Sequence, residues 1–430
     1  MRLLYNLVTI FIVIFAFPVF CWRLIREPGF DERFRQNFGF LPASALKAVA
    51  HKQCLWVHAA SIGEVVAASP IIKELRLAFP ERPLLVSTVT VTGYEMAQKI
   101  MPDVDSIIFF PLDLPLLSAA VVRRIQPGLV VLVETELWPN FLGALETLKV
   151  PVVMVNGRIS DKSAQHYRYL RSVLKKMLQS VSLFCMQSDL DASYIIALGA
   201  PQKNVVVTGN TKFDQTYTTV TSEEKRQLLA SLGFGGDLSP IFIAGSTHEG
   251  EETAVFEAYL QAKKFVPKLK LIIAPRDIRR TDEVEKIAES YSVSLKRRTK
   301  LPSGSALVFS EAVIIDTIGE LGRLYSLGDI IFVGGSLIPQ GGHNILEPAA
   351  HGKPILVGPQ MFNFKESYAL LSDRGACLTV HNSQELAAKI VLLIQDTKAA
   401  EAMGQSAAAI MLENGGAARK SVDYLRRFVQ

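Results

Sequence analysis

Two doubly wound parallel sheets in tandem, each Rossmann-like, make up the α/β fold that this 430-residue sequence predicts. Three observations predict it. After Cys54, short apolar runs rich in β-branched residues alternate with stretches of helical periodicity, the pattern of parallel strands joined by crossover helices. The pattern loosens once, between Thr208 and Pro240, and then restarts, so the chain holds two such units. Strand ends carry glycine, hydroxyl and acidic residues, and open α/β sheets bind ligands at that edge.

The N-terminus stands apart from this series. Leu3 to Trp22 is apolar except for Tyr5, Asn6, Thr9 and Pro18, and just long enough to span a bilayer. No small-residue cleavage pattern follows, as a signal peptide would require. Arg23, Arg26, Arg33 and Arg35 follow instead, a basic flank of the kind kept on the cytoplasmic side. Residues 1–24 are therefore expected to be a membrane anchor, 25–212 a first domain and 213–430 a second. With 49% hydrophobic residues, each half can bury a core. The net charge of +5 is mild and compatible with an anionic substrate or membrane surface. No nucleic-acid partner is expected. Cys21, Cys54, Cys185 and Cys377 are scattered, which fits reduced thiols rather than a disulfide frame or a zinc site.

In the first half, strands are expected at Leu55–His58, Leu84–Thr88, Ser106–Phe110, Leu129–Val133 and Val152–Val155, with helices at Val65–Phe79 and Gly93–Met101. Three strand ends carry chemistry. Ala59-Ala-Ser-Ile-Gly-Glu64 opens the first helix, where Glu64 is either a helix-dipole cap or a general base at the sheet edge. Glu134-Thr-Glu-Leu-Trp-Pro-Asn140 places two acids and a tryptophan in one turn, more than a cap needs. Arg158 and Ser160 close the next strand. Thr208-Gly-Asn-Thr-Lys212 brings a lysine to a strand end, where it is either a solvated cation or an anion contact.

The second half restarts at Ile241–Ala244 and continues through Leu271–Ala274, Ala312–Ile315 and Ile330–Val333. Ser246-Thr-His-Glu-Gly-Glu251 is a hydroxyl-rich turn; His248 and Glu249 are adjacent and give no metal-ligand geometry. Pro275-Arg276 ends a strand with a guanidinium able to fork onto a phosphate. Ile318-Gly-Glu320 offers backbone amides beside the same edge. After Val333 come two glycine pairs, Gly334-Gly335 and Gly341-Gly342, and then a short helix near Asn344-Ile-Leu-Glu347 that Pro348 confines to its first turn and Gly352 ends. Bare backbone there would let a phosphate approach the amides. Asn344 and Glu347, three apart, form either a capping box or a ribose-binding pair.

In this order, Ser-Ile-Gly-Glu64, Glu-Thr-Glu-Leu-Trp-Pro-Asn140, Thr-Gly-Asn-Thr-Lys-Phe-Asp214, Ser-Thr-His-Glu-Gly-Glu251, Ala-Pro-Arg276, Thr-Ile-Gly-Glu-Leu321 and Gly-Gly-His-Asn-Ile-Leu-Glu-Pro348 closely resemble the Kdo transferases of lipopolysaccharide synthesis. The resemblance spans nearly the whole chain. It implies a GT-B inverting glycosyltransferase that moves 3-deoxy-D-manno-oct-2-ulosonic acid (Kdo) from CMP-Kdo onto the lipid A precursor at the inner leaflet of the bacterial inner membrane. It further implies that Glu64 deprotonates the acceptor hydroxyl and that Glu134 and Lys212 stabilise the transition state. Pro275, Arg276, Ile318, Gly319, Glu320, Asn344, Ile345, Leu346 and Glu347 would hold the CMP portion. One departure stands out: the family commonly has His-Pro-Glu-Arg after Ala-Pro-Arg, and here stands Asp277-Ile-Arg-Arg280.

The implied chemistry needs no metal or cofactor. A sugar hydroxyl requires a base within reach, whereas CMP is already a good leaving group whose charge amides and an arginine can meet. A lipid-linked N-acetylglucosaminyl transferase or a nucleotide-sugar epimerase would share the fold but not Glu-Thr-Glu-Leu-Trp-Pro-Asn140. A non-catalytic sugar-nucleotide-binding module is the alternative from another class.

Overall fold

The computed structural model describes every residue except 1, 27–29, 160–170, 216, 218–219, 235–238, 302–309 and 430; Ser160 lies outside the described residues. The chain divides into two compact units. One comprises Met1–Thr216 together with Asn414–Gln430, the other Tyr217–Glu413.

The first unit is built on a parallel sheet of β1 (Leu55–His58), β2 (Leu84–Thr88), β3 (Ser106–Phe109), β4 (Leu129–Val133), β5 (Val152–Gly157), β6 (Leu183–Met186) and β7 (Val205–Val207). Their spatial order is β3-β2-β1-β4-β5-β6-β7. Strands β1, β2, β4, β5 and β6 are buried along their whole length, because helices cover both faces, and this explains their unbroken apolar runs. The order reverses between β1 and β4, so the carboxyl ends of these neighbours flank a crevice where such sheets hold ligands.

Three helices precede β1: α1 (Arg2–Arg26), α2 (Phe30–Asn37) and α3 (Ala43–Val49). Within α1, Tyr5–Leu24 is apolar and long enough to cross a membrane, and Phe11, Phe15 and Trp22 are exposed. The helix also touches the fold, because the Tyr5 hydroxyl donates to Asp113 at 3.0 Å. After β1 comes α4 (Ile62–Ala78), which buries Val65, Ala68, Ile71, Ile72 and Leu75 at helical spacing. Its internal Pro70 has no N–H for the carbonyl of Val66, and the Ser69 hydroxyl supplies the missing donor at 3.1 Å.

The second unit repeats the plan with β8 (Ile241–Thr247), β9 (Lys270–Pro275), β10 (Leu295–Arg297), β11 (Ala312–Ile314), β12 (Ile330–Val333), β13 (Ile355–Val357) and β14 (Cys377–Thr379). Its order, β10-β11-β9-β8-β12-β13-β14, reverses between β8 and β12.

The observed division corrects the expected boundaries. The chain passes between units after Thr216 rather than Lys212, and residues 414–430 return to the first unit instead of staying with the second. The returning helix Ala417–Leu425 inserts Ala418, Val422 and Leu425 among the apolar side chains of β1, β4 and α4. A carboxylate secures its start: Asp214 accepts from the amides of Gly416 and Ala418. Chain order alone carries no sign of this return.

Candidate active site

At the β1/β4 crevice the first unit gathers acidic groups. Ser61 caps α4, accepting from the Glu64 amide at 3.4 Å, and the Glu64 carboxylate folds back to accept from the Ala60 amide at 2.7 Å and the Ser61 hydroxyl at 2.8 Å. The capping reading of Glu64 is therefore realised in the structure. Yet the group is not an ordinary cap. Burial, and then the nearby charges of Glu136 and Glu134, push its carboxyl up to about 7 against the two hydrogen bonds.

Glu134 follows β4 in the left-handed region, with φ of 59°, a conformation that costs a non-glycine residue energy and is over-represented at functional turns. Glu136 accepts from the indole N–H of Trp138 at 3.0 Å, and burial raises its carboxyl too. Opposite it, the buried imidazole of His58 at the end of β1 approaches Glu136 to 3.9 Å. Lys212 lies in the turn Thr211–Asp214, tied to α4 by the Thr211 hydroxyl, which donates to the Ala67 carbonyl at 2.8 Å. Thus Glu64, Glu134 and the Lys212 turn all border one end of one sheet. Sequence reading passed over His58 as a strand residue, and nothing in its local sequence marks it.

In the second unit a cavity of about 600 Å3 opens at the ends of β9 and β11. Pro275, Arg276, Ile318 and Gly319 line it, together with Ser246 and Thr317. Ile318, in the loop after β11, is 74% exposed. Glu320 accepts from the Thr317 hydroxyl at 2.5 Å and pairs with Arg298 at 3.4 Å.

Asn344 and Glu347 are joined, but not as a capping box. The Asn344 side-chain oxygen accepts from the Leu346 amide at 3.0 Å, while its NH2 donates to Glu347 at 3.2 Å. Glu347 is half-buried, and desolvation raises its carboxyl while Asn344 and Arg276 oppose the shift. Ile345 and Leu346 are buried, so any ligand contact there falls to their backbone.

The first glycine pair has a different role from the one expected. The amides of Gly335, Ser336 and Leu337 already donate to the fully buried Glu251 carboxylate, at 2.6, 3.0 and 2.9 Å, as does the His248 amide at 3.1 Å. An internal anion thus fills the nest that sequence reading reserved for a phosphate. A Cβ on Gly334 would stand 2.6 Å from the Ser246 carbonyl oxygen. Gly341 and Gly342 have φ of 93° and 75° and pack against Asn363 and Met361. Beside Gly335, His248 and His343 are hydrogen-bonded, Nε2 to Nε2 at 2.7 Å. Among the described residues, no group of three or more His, Cys, Asp or Glu side chains could hold a metal ion.

A family model described as 3-Deoxy-D-manno-octulosonic-acid transferase (kdotransferase) matches residues 32–215. A 3-deoxy-D-manno-octulosonic acid transferase from Haemophilus influenzae is 30% identical over 94% of this chain and 93% of its own length. The chain belongs to the 3-deoxy-D-manno-octulosonic acid transferase family. A transferase of the same description from Bordetella pertussis is 29% identical over 94% of both chains. In solved structures the architecture recurs in a UDP-GlcNAc 2-epimerase from Neisseria meningitidis, with a TM-score of 0.57 and 16% identity over 87% of this chain and 99% of that one. That likeness concerns the fold, which is of GT-B type. As a member of the Kdo transferase family, the chain is a glycosyltransferase. Its departure at Asp277-Ile-Arg-Arg280 has a structural role of its own. Asp277 caps a 3-10 turn through the Arg279 amide at 3.0 Å, and Arg280 neutralises the buried Glu252 at 2.8 Å.

Proposed function

We propose that the chain transfers Kdo from CMP-Kdo to a hydroxyl of the lipid A precursor, with inversion and without a metal or cofactor. The Glu64 carboxyl, raised to about 7 beside Glu134 and Glu136, carries this reading, because a general base works best with its pKa near the operating pH. Glu64 takes the acceptor hydroxyl's proton as the oxygen attacks the anomeric carbon. The bond from that carbon to the phosphate oxygen breaks, and CMP leaves with the electron pair. Glu134 and Lys212 stabilise the transition state.

On the donor side, Arg276 pairs with the phosphate and the loop Ile318–Gly319 lies against the base. Glu347, oriented by Asn344, accepts from the ribose hydroxyls, while Pro275, Glu320, Ile345 and Leu346 shape the surrounding backbone. Helix α1, with Arg23 and Arg26 in its last turn, anchors the chain in the cytoplasmic leaflet of the inner membrane, where the anionic lipid acceptor resides. The purified chain, given CMP-Kdo and lipid A precursor in vesicles with excess EDTA, tests the whole reading by mass spectrometry of the lipid. A lipid heavier by Kdo is expected. CMP binding with an unmodified lipid would indicate a binding module, and product that appears only after Mg2+ is restored would overturn the metal-free chemistry.

A further inference from the structure

We propose that His58 is a positioning residue of this active site, one whose Nε2–H holds the Glu136 carboxylate beside Glu64. This deepens the reading of Glu64 as the base and rests on it. The imidazole is fully buried, packed against Phe110 with ring centroids 4.0 Å apart. Burial drives its pKa down to about 3, so the ring is neutral and carries one N–H and one lone pair.

The surroundings of the two nitrogens differ. Nδ1 lies 2.9 Å from the Ser87 hydroxyl, which can donate or accept, and 3.2 Å from the Ser87 carbonyl. Nε2 is buried with no hydrogen-bond partner, and the nearest charged oxygen is Glu136 Oε2 at 3.9 Å. A lone pair on Nε2 would face a carboxylate; an N–H there would face an acceptor.

Two tautomers fit Ser87: an Nδ1–H would donate to its carbonyl, whereas a bare Nδ1 accepts from its hydroxyl. Only the second gives Nε2 its proton: the Trp56 indole donates to the Ser87 hydroxyl at 2.8 Å, Ser87 donates to Nδ1, and Nε2–H points toward Glu136, which also accepts from Trp138 at 3.0 Å. At 3.9 Å the last contact is not yet a hydrogen bond. The proposal requires the half-buried Glu136 side chain to turn toward Nε2 when the site is charged. The orphaned buried nitrogen then has its partner.

Glu136 is faced by Glu64 from α4, by Glu134 from its own turn and by His58 from β1. Arg158, whose carbonyl accepts from the Thr135 hydroxyl, borders the same end of the sheet, as does Lys212. An N–H aimed at Glu136 favours its charged form, and that charge in turn disfavours ionisation of Glu64. Removing the N–H lets Glu136 keep its proton, so Glu64 ionises at lower pH.

The test combines a tautomer measurement with pH profiles. Nitrogen NMR of the 15N-histidine-labelled full chain, with the His58 signal assigned from its loss in His58→Gln, should show the Nε2–H tautomer. An Nδ1–H tautomer would overturn the proposal outright, whatever the variants do. In pH profiles of kcat/KM, His58→Phe and Glu136→Gln should each move the acidic limb down by roughly half to one pH unit. His58→Phe should add nothing in the Glu136→Gln background. His58→Gln, which restores an N–H near the Nε2 position, should return the limb toward its wild-type place. A slower His58→Phe enzyme with an unmoved limb, or His58→Gln behaving as His58→Phe does, would reduce His58 to packing. Full activity in Glu64→Gln would sink the base reading instead, and the tautomer result would remain separate from that failure.

Discussion

Replacing Glu64 by Gln separates catalysis from capping, because the amide keeps much of the cap while losing the base. The side-chain oxygen of Gln can still accept from the Ala60 amide, and its NH2 can meet the Ser61 hydroxyl. General-base catalysis, by contrast, is lost, at a cost of about 10²–10⁴-fold in kcat/KM. The stability change has the opposite sign. Glu64 moves from its ordinary 4.5 to about 7 on folding, so the folded state holds that proton more tightly than the unfolded chain does. Such a group favours folding below about pH 4.5, and the advantage disappears as pH rises to about 7. The raised value corresponds to about 3 kcal/mol at most of strain from the charged form above pH 7, since each pKa unit is worth about 1.4 kcal/mol. Glu64→Gln, lacking the charge, should therefore melt at a higher temperature than wild type at pH 8 and at a similar one at pH 4. CMP affinity by titration calorimetry should be unchanged, because the residues proposed to hold the nucleotide lie in the other unit. Retained turnover would leave Glu64 as a cap only. A variant both inactive and less stable at pH 8 would refute the argument from burial.

Glu347→Gln should weaken CMP by one to two decades, roughly 1.5–3 kcal/mol for lost charge-assisted hydrogen bonds, with the melting temperature within a few degrees of wild type. Unchanged affinity in calorimetry would return Asn344 and Glu347 to local structure. Glu251→Ala should destabilise the second unit by roughly 3–5 kcal/mol in urea unfolding, because it strands four backbone donors; a loss under 1 kcal/mol would mean that water replaces the carboxylate at little cost. Deleting residues 1–24 should reduce turnover on acceptor in bilayers more than on detergent-dispersed acceptor, and the lost Tyr5 contact to Asp113 should lower the melting point slightly. Equal losses in both assays would make α1 part of the fold rather than an anchor.

The parts of the fold visible in the sequence were those in which one local rule decides. Strands such as Leu129–Val133, buried on both faces, are uniformly apolar and can be read at sight. β10, Leu295-Lys-Arg297, is a half-exposed edge strand with two cations and has no such pattern. β14 is three residues long and β6 is obscured between two helices, so neither stood out. The return of Ala417–Leu425 to the first unit depends on contacts made some 200 residues away in sequence, Asp214 to Gly416 among them, and periodicity cannot report those.

The site was legible to a similar degree. Motif spacing located Glu64, Glu134 and Arg276 at strand ends. It did not disclose which donors were already taken. Glycines after a strand permit a close anion, but they do not say whose anion it is. Around Gly335 it is the chain's own Glu251, which leaves Arg276, beside its cavity, as the phosphate contact that the sequence also offered.

Cap and catalyst are commonly weighed as alternatives for an acidic residue at a helix start, and the proposed role of Glu64 needs both. The cap hydrogen bonds fix the carboxylate's rotamer, which a base needs if it is to meet a hydroxyl in one orientation. Left to themselves they would also lower its pKa and make it a poor base, because an N–H donated to a carboxylate favours the charged form. Burial and the two neighbouring acids of the Glu134–Asn140 turn act against that, and their combined effect wins, leaving the group near 7. A lone capping glutamate on an exposed helix would have the geometry without the basicity. A carboxylate simply buried would have the basicity without the geometry. Both come together because the sheet order reverses between β1 and β4, which sets the acidic turn after β4 beside the first turn of α4.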